Sequence, residues 1–277
     1  MQALMLIIAV LGCAQATRCG IRKGKDSGLR ISGGADALPN EFPWQVAMTT
    51  KSCGWTSYGC GGSIINDRWI VTAAHCVDFS KNASDYTILL GKHELRACEA
   101  TQQERTVDKI VVHPKYHGTG VPVYDVALMR LSEPLNWNDY VGPVCLPDEG
   151  DDYTNVTCTT SGWGFNATKN GTVLRVHPKV LQKLDLPIWT SVKCANTYGT
   201  MYNRNSMFCA GYENQIKGSC HGDSGSPLVC PRKDGQWVLA GIVSFGAHNC
   251  TGPGVFSRVT SSTNWIQSTI CEDHNCS

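Results

Sequence analysis

The chain has 277 residues, a formal net charge of +1, 15 cysteines, and 17% charged against 42% hydrophobic residues. A chain of this length and balance can bury a large core, and its near-neutral charge excludes nucleic acid as the main partner, because phosphate binding needs a basic field. Apolar runs nowhere reach the roughly 18 residues that a membrane-spanning helix needs, so no membrane association is expected.

The first element is a short apolar run over 3–11, followed by small residues ending Ala14-Gln15-Ala16. It is too short to span a bilayer and carries an A-x-A cleavage pattern, which predicts a signal peptide over 1–16 and a secreted, extracellular product. Secretion makes disulfides the default use of cysteines. It also gives meaning to the N-x-S/T tripeptides at Asn82, Asn155, Asn166, Asn170, Asn249 and Asn275 as glycosylation acceptors. A stretch rich in Gly, Lys and Arg follows over 17–30, with Cys19 inside it, and reads as an exposed segment open to proteolysis.

From Ile31 onward, short apolar runs alternate with Gly, Pro, Asn and Asp. The runs over 69–73, 86–90, 107–112, 126–131, 237–243 and 254–259 have strand length and are rich in β-branched and aromatic residues. The one helical pattern lies over 262–270. Many short strands with turn punctuation predict an all-β sandwich or barrel.

Three segments carry chemistry. Thr72-Ala73-Ala74-His75-Cys76 ends an apolar strand, Tyr124-Asp125-Val126-Ala127-Leu128 leads an acid into one, and Gly222-Asp223-Ser224-Gly225-Ser226-Pro227 flanks a serine with glycines. A serine hydroxyl needs a base to take its proton, and histidine titrates in the right range. The imidazole needs an acid behind it to fix its tautomer. Each residue alone more often serves structure; together with their flanks they form a strong signal.

On these motifs the chain resembles the chymotrypsin-like (trypsin-fold) serine peptidases, from Cys19 to about Ile270. The resemblance implies His75 as general base and acid, Asp125 as its orienting acid and Ser224 as nucleophile, with the Gly222 and Ser224 N–H groups as oxyanion hole. It implies two antiparallel six-stranded β-barrels, over about 31–140 and 141–261, with a C-terminal helix over about 262–270. The peptidase domain would be 31–277, after an activation propeptide over 17–30. Cleavage at Arg30-Ile31 would free an ammonium that pairs with Asp223. Ser226 stands where the family usually has glycine, and is tolerated if its φ is negative.

The resemblance also places a specificity pocket at Gly218 and Ser219, with walls at Gly246 and Gly254, and a substrate-pairing segment at Ser244-Phe245-Gly246. No acid stands at the pocket floor, so cleavage after Lys or Arg is disfavoured. Two wall glycines leave room for Phe, Tyr, Trp, Leu or Met. The rivals are an elastase-like preference for smaller residues and a non-catalytic homologue acting as a binding module.

The family pattern pairs Cys60 with Cys76, Cys158 with Cys230, Cys194 with Cys209, Cys220 with Cys250, and Cys19 with Cys145. Cys53–Cys98 and Cys271–Cys276 are assigned to the remaining four, and Cys13 leaves with the signal peptide. No cofactor is implied. Some relatives bind calcium in the loop corresponding to 92–104, but Lys92 stands where they begin with a carboxylate. The implied partners are protein or peptide substrates, an activating protease that cleaves after Arg, and protein inhibitors of proteases. A monomer with a digestive role is the expectation.

Overall fold

The computed structural model describes residues 18–24, 34–49, 58–167, 172–213, 215, 217–247 and 249–274. The signal peptide, Arg30, Ile31, Cys53, Asn170, Asn275 and Cys276 lie outside them.

Fifteen strands and two helices make up the described chain. The first half holds β1 (Ala35–Asp36), β2 (Gln45–Thr49), β3 (Tyr58–Ile64), β4 (Trp69–Thr72), β5 (Thr87–Leu90), β6 (Gln103–Val112) and β7 (Ala127–Leu131). The second holds β8 (Thr157–Gly162), β9 (Asn166–Ala167), β10 (Val173–Leu174), β11 (Gln182–Pro187), α1 (Ser191–Tyr198), β12 (Met207–Ala210), β13 (Pro227–Pro231), β14 (Trp237–Phe245), β15 (Gly254–Arg258) and α2 (Thr263–His274). Strands dominate because the apolar runs are short and β-branched, and suit a pleated, packed surface.

Strands β2-β3-β4-β7-β6-β5 close into a barrel. Trp44, Trp69, Ile64, Ile70, Leu128 and Met129 are fully buried around its interior. The second half is a seven-stranded sheet in the order β1-β11-β8-β13-β14-β15-β12. Two features mark this second unit. It gains β1, through Ala35↔Lys183 and Asp36↔Gln182. Strands β11 and β12 are joined, among the described residues, through the Ile188↔Ala210 bridge and the bonds Trp189 N to Cys209 O (2.9 Å) and Gly211 N to Pro187 O (3.1 Å).

Helix α1, which no periodicity announced, is capped by Thr190, whose hydroxyl accepts from Lys193 N at 3.3 Å. Helix α2 runs to His274, past the expected end at 270.

Segment 18–24 docks on the body of the molecule. Cys19 is bonded to Cys145. Gly20 N donates to Pro143 O at 2.8 Å and Gly20 O accepts from Trp237 N at 2.9 Å. The Arg22 guanidinium lies over the rings of Phe42 (5.0 Å) and Trp237 (4.6 Å) and donates through Nε to the buried Glu41 at 3.1 Å. Lys183 Nζ reaches the same carboxylate at 2.7 Å. Burial opposes the charge on Glu41, but these two cations outweigh it and hold the pKa below the usual carboxylate range.

Candidate active site

Pairing of Thr72 with Ala127 in the β4–β7 ladder fixes one end of the barrel. Antiparallel register therefore brings the residues just after Thr72 beside those just before Ala127. His75 sits in the 3-10 turn over Ala74–Val77. Asp125 follows Tyr124, which holds a left-handed φ of 50°. Such a backbone costs on the order of 1–3 kcal/mol and must be held by its surroundings. Here the Tyr124 ring stacks on the buried His113 at 4.8 Å.

The Asp125 carboxylate is fully buried. His75 Nδ1 meets its Oδ2 at 2.7 Å, and His75 N donates to Oδ1 at 2.9 Å. A carboxylate at Nδ1 places that proton on Nδ1 and leaves Nε2 as the free base. Burial alone would lower the His75 pKa, but Asp125, through its hydrogen bond and its charge, raises it above the ordinary value. The imidazole keeps access to solvent, with 29% of its side chain exposed.

Ser244 adds a contact that the sequence reading missed. Its hydroxyl donates to Asp125 Oδ2 at 2.6 Å, and Ser257 Oγ donates to the Asp125 carbonyl at 2.8 Å. The reading gave Ser244 only a main-chain role, because a hydroxyl on β14 carries no sign of which strand end it faces.

Ser224 is carried by the second sheet and held to the first barrel by Gly61 N, which donates to Ser224 O at 2.7 Å. The seam there is tight. A Cβ on Gly225 would stand 2.2 Å from Thr72 Oγ1, and one on Gly61 would stand 2.0 Å from Ser226 Oγ. Ser226 is fully buried, and its φ lies outside the left-handed region. Its hydroxyl is accommodated because Gly61 opposite has no side chain. Among the described residues no hydrogen bond joins Ser224 Oγ to His75; His75 Nε2 stands 3.9 Å from Cys76 Sγ.

Asp223 accepts from Gly164 N at 2.8 Å and Cys220 N at 2.9 Å. Burial pushes its pKa up to about 6. A cavity of about 250 Å³ opens beside it, bordered also by Gly34, Gly164 and Gly218.

The expected specificity residues converge. A Cβ on Gly254 would stand 3.0 Å from Ser219 Oγ, one on Gly246 would stand 3.7 Å from Gly254 Cα, and one on Gly218 would stand 3.0 Å from Gly252 O. Cys220–Cys250 ties the two segments together.

Disulfides also join Cys60 to Cys76, Cys158 to Cys230 and Cys194 to Cys209. Cys98 is disulfide-bonded; its expected partner Cys53 lies outside the described residues, as does Cys276 for Cys271. Asn82, Asn155 and Asn249 are exposed.

Among the described residues, two places are candidates for a metal by residue type, and the chemistry of neither suits an ion. Cys60, His75 and Cys76 cluster, but both sulfurs are spent in one disulfide and cannot serve as thiolates. In the loop 92–104, the Lys92 ammonium donates to Ala97 O and to Gln102 Oε1 (3.0 Å) and stands 3.6 Å from Glu99 Oε2. Glu99 in turn accepts from His93 N at 2.8 Å. An internal cation thus uses the oxygens that calcium would need.

A family described as Trypsin matches residues 31–266. The chain belongs to the trypsin family. It is 37% identical over 251 residues to transmembrane protease serine 9 of Rattus norvegicus, across 90% of this chain and 23% of that protein. The chain therefore spans about a quarter of that relative's length. No helix among the described residues is long and apolar enough to cross a membrane.

Proposed function

We propose that the chain is a secreted zymogen whose form cleaved after Arg30 hydrolyses peptide bonds following bulky apolar residues. The observation that carries the catalytic part is the buried Asp125 carboxylate facing His75 Nδ1 at 2.7 Å, with Ser224 presented across the seam.

Ser224 Oγ attacks the substrate carbonyl carbon while His75 Nε2 takes its proton. The carbonyl oxygen becomes an oxyanion that the N–H groups of Gly222 and Ser224 stabilise. Losing one such donor typically costs about 2.7–4 kcal/mol. Collapse breaks the C–N bond, and His75 returns the proton to the leaving amine. Water then repeats the sequence on the acyl-enzyme and releases the acid. The reaction does not require a Ser224–His75 hydrogen bond in the free enzyme, because such bonds often tighten only with substrate bound.

The convergence of Ser219, Gly246 and Gly254 supports a pocket with open walls and no acid at its floor. Burying a large apolar side chain there contributes roughly 1.5–3 kcal/mol. Activation is supported by Asp223. In the uncleaved chain its described partners are two amides and no cation, and Gly34 borders the same cavity three residues after Ile31. A new ammonium at Ile31 would neutralise it. The disulfide and ion pairs of 18–24 would keep the pro-segment attached. Secretion is supported by the apolar run, the disulfides and the exposed N-x-S/T asparagines.

The test is a fluorophosphonate probe and peptides bearing Phe, Leu, Ala or Lys before the cleaved bond, used on the Arg30-cleaved protein. Labelling of Ser224 and fastest turnover of the Phe or Leu peptide are expected. No labelling would favour a binding module, fastest turnover of Ala an elastase-like pocket, and fastest turnover of Lys would overturn the pocket assignment.

A further inference from the structure

The Gly222 N–H belongs to a peptide unit whose other half is the His221 carbonyl. In a trans peptide the C=O and N–H point in opposite directions, and no described bond is cis. Phe165 N donates to His221 O at 2.8 Å. That bond fixes where the carbonyl points, and so aims the Gly222 N–H the opposite way. The neighbouring amide, Gly164 N, holds Asp223 Oδ1 at 2.8 Å. Two consecutive amides thus grip the 221–223 segment at two points.

The gripping segment is itself held by His177. Its Nδ1 bonds Trp163 O at 2.7 Å. A carbonyl can only accept, so the proton is on Nδ1. The ring lies 4.6 Å from Phe165 and meets Tyr58 edge-on at 5.1 Å. Its Cε1 is 3.0 Å from where a Cβ on Gly222 would stand, so the imidazole packs directly behind the α-carbon of the donor residue.

We infer that His177 is a positioning residue for the oxyanion donor. It anchors Trp163, whose segment sets the His221–Gly222 peptide, and it backs Gly222 from behind. The inference rests on the reading of Gly222 as that donor. Gly222 needs such support. Its φ of 97° is one that only glycine adopts freely, and it has no side chain to resist rotation of the peptide. An oxyanion donor works only when aimed at the oxygen of the transition state. The pocket residues Gly218, Ser219 and Gly254 are separate from His177, so ground-state binding is spared and the loss falls on kcat.

The test uses the full disulfide-bonded chain cleaved after Arg30, with H177A, H177F and H177N. Each variant is measured for kcat and KM on a peptide with Phe before the bond. Inhibition by the matching peptide aldehyde is measured too, because its hemiacetal oxygen takes the oxyanion position. H177A and H177F both lose the N–H; they are expected to lose kcat and aldehyde affinity together, by about tenfold, with KM within about twofold. H177N offers an amide N–H to Trp163 O and is expected to retain most of the activity. Unchanged kcat in the Ala or Phe variant, a loss carried by KM, or an Asn variant as poor as Ala overturns the inference. Either of H177A and H177F suffices if the other fails to fold. A wild-type protein that neither labels nor turns over would instead overturn the active-site reading itself.

Discussion

Asp223 makes the uncleaved chain less stable as pH rises, and cleavage after Arg30 should remove the effect. The carboxyl titrates at about 6 in the folded chain against 3.8 ordinarily, because burial disfavours its charge. Between those values the folded chain holds a proton that the unfolded chain has released, so stability falls as pH increases. The interval corresponds to up to about 3 kcal/mol. The perturbation is D223N, introduced beside S224A to prevent self-digestion. Urea unfolding of the uncleaved S224A protein at pH 4 and pH 7.5, under non-reducing conditions, should show a loss of up to about 3 kcal/mol relative to S224A/D223N. The S224A protein cleaved after Arg30 should not show that loss, since a buried ammonium partner favours the ionised carboxylate. Identical pH profiles for the uncleaved proteins with Asp or Asn at 223 would refute the buried unpaired charge. A profile unchanged by cleavage would refute the pairing with Ile31.

Four further outcomes follow from named contacts. S244A removes a donor to the buried Asp125 carboxylate, a bond to a charged group worth about 1.5–3 kcal/mol; kcat/KM should fall by roughly 10- to 100-fold, and an unchanged value would show that the bond is idle. Burial, helped by the charge of Lys115, pushes the His113 pKa down to about 4 from 6.5, so the unfolded chain takes up this proton first and stability falls as pH drops from 6.5 to 4, by about 3 kcal/mol; H113F should flatten that part of the pH–stability curve. K92M strips the cation from the 92–104 loop and should lower stability by about 1–3 kcal/mol, whereas a chelator should leave the melting temperature of the wild type unchanged; a drop on chelation would reveal a metal. A valine at Gly246 would fill the space facing Gly254, so G246V should cut kcat/KM for a Phe peptide far more than for an Ala peptide; an equal effect on both would count against the pocket.

Much of the site was legible because its chemistry is local in the chain. His75, Asp125 and Ser224 stand out because each is flanked by residues that fit one role, at a strand end or among glycines. The strand runs at 69–73 and 126–131 likewise match β4 and β7 within a residue or two, since short β-branched segments leave little choice. Helix α1 escaped notice because eight residues with one buried side chain, Cys194, carry almost no periodic signal. In the second half, the addition of β1 and the bridge between β11 and β12 show only when the strands are set side by side.

By itself, then, the sequence pointed to the family and singled out the residue types of the proposed reaction, because these depend on identity and near neighbours. Only the tertiary structure decided which groups meet across the seam. The Ser244 hydroxyl on Asp125, the glycine at 61 that admits Ser226 and the His177–Trp163–Phe165 grip on the Gly222 peptide each join residues far apart in the chain. A hydrogen bond is set by a few tenths of an ångström and by direction, and the spacing of residues along a chain carries neither.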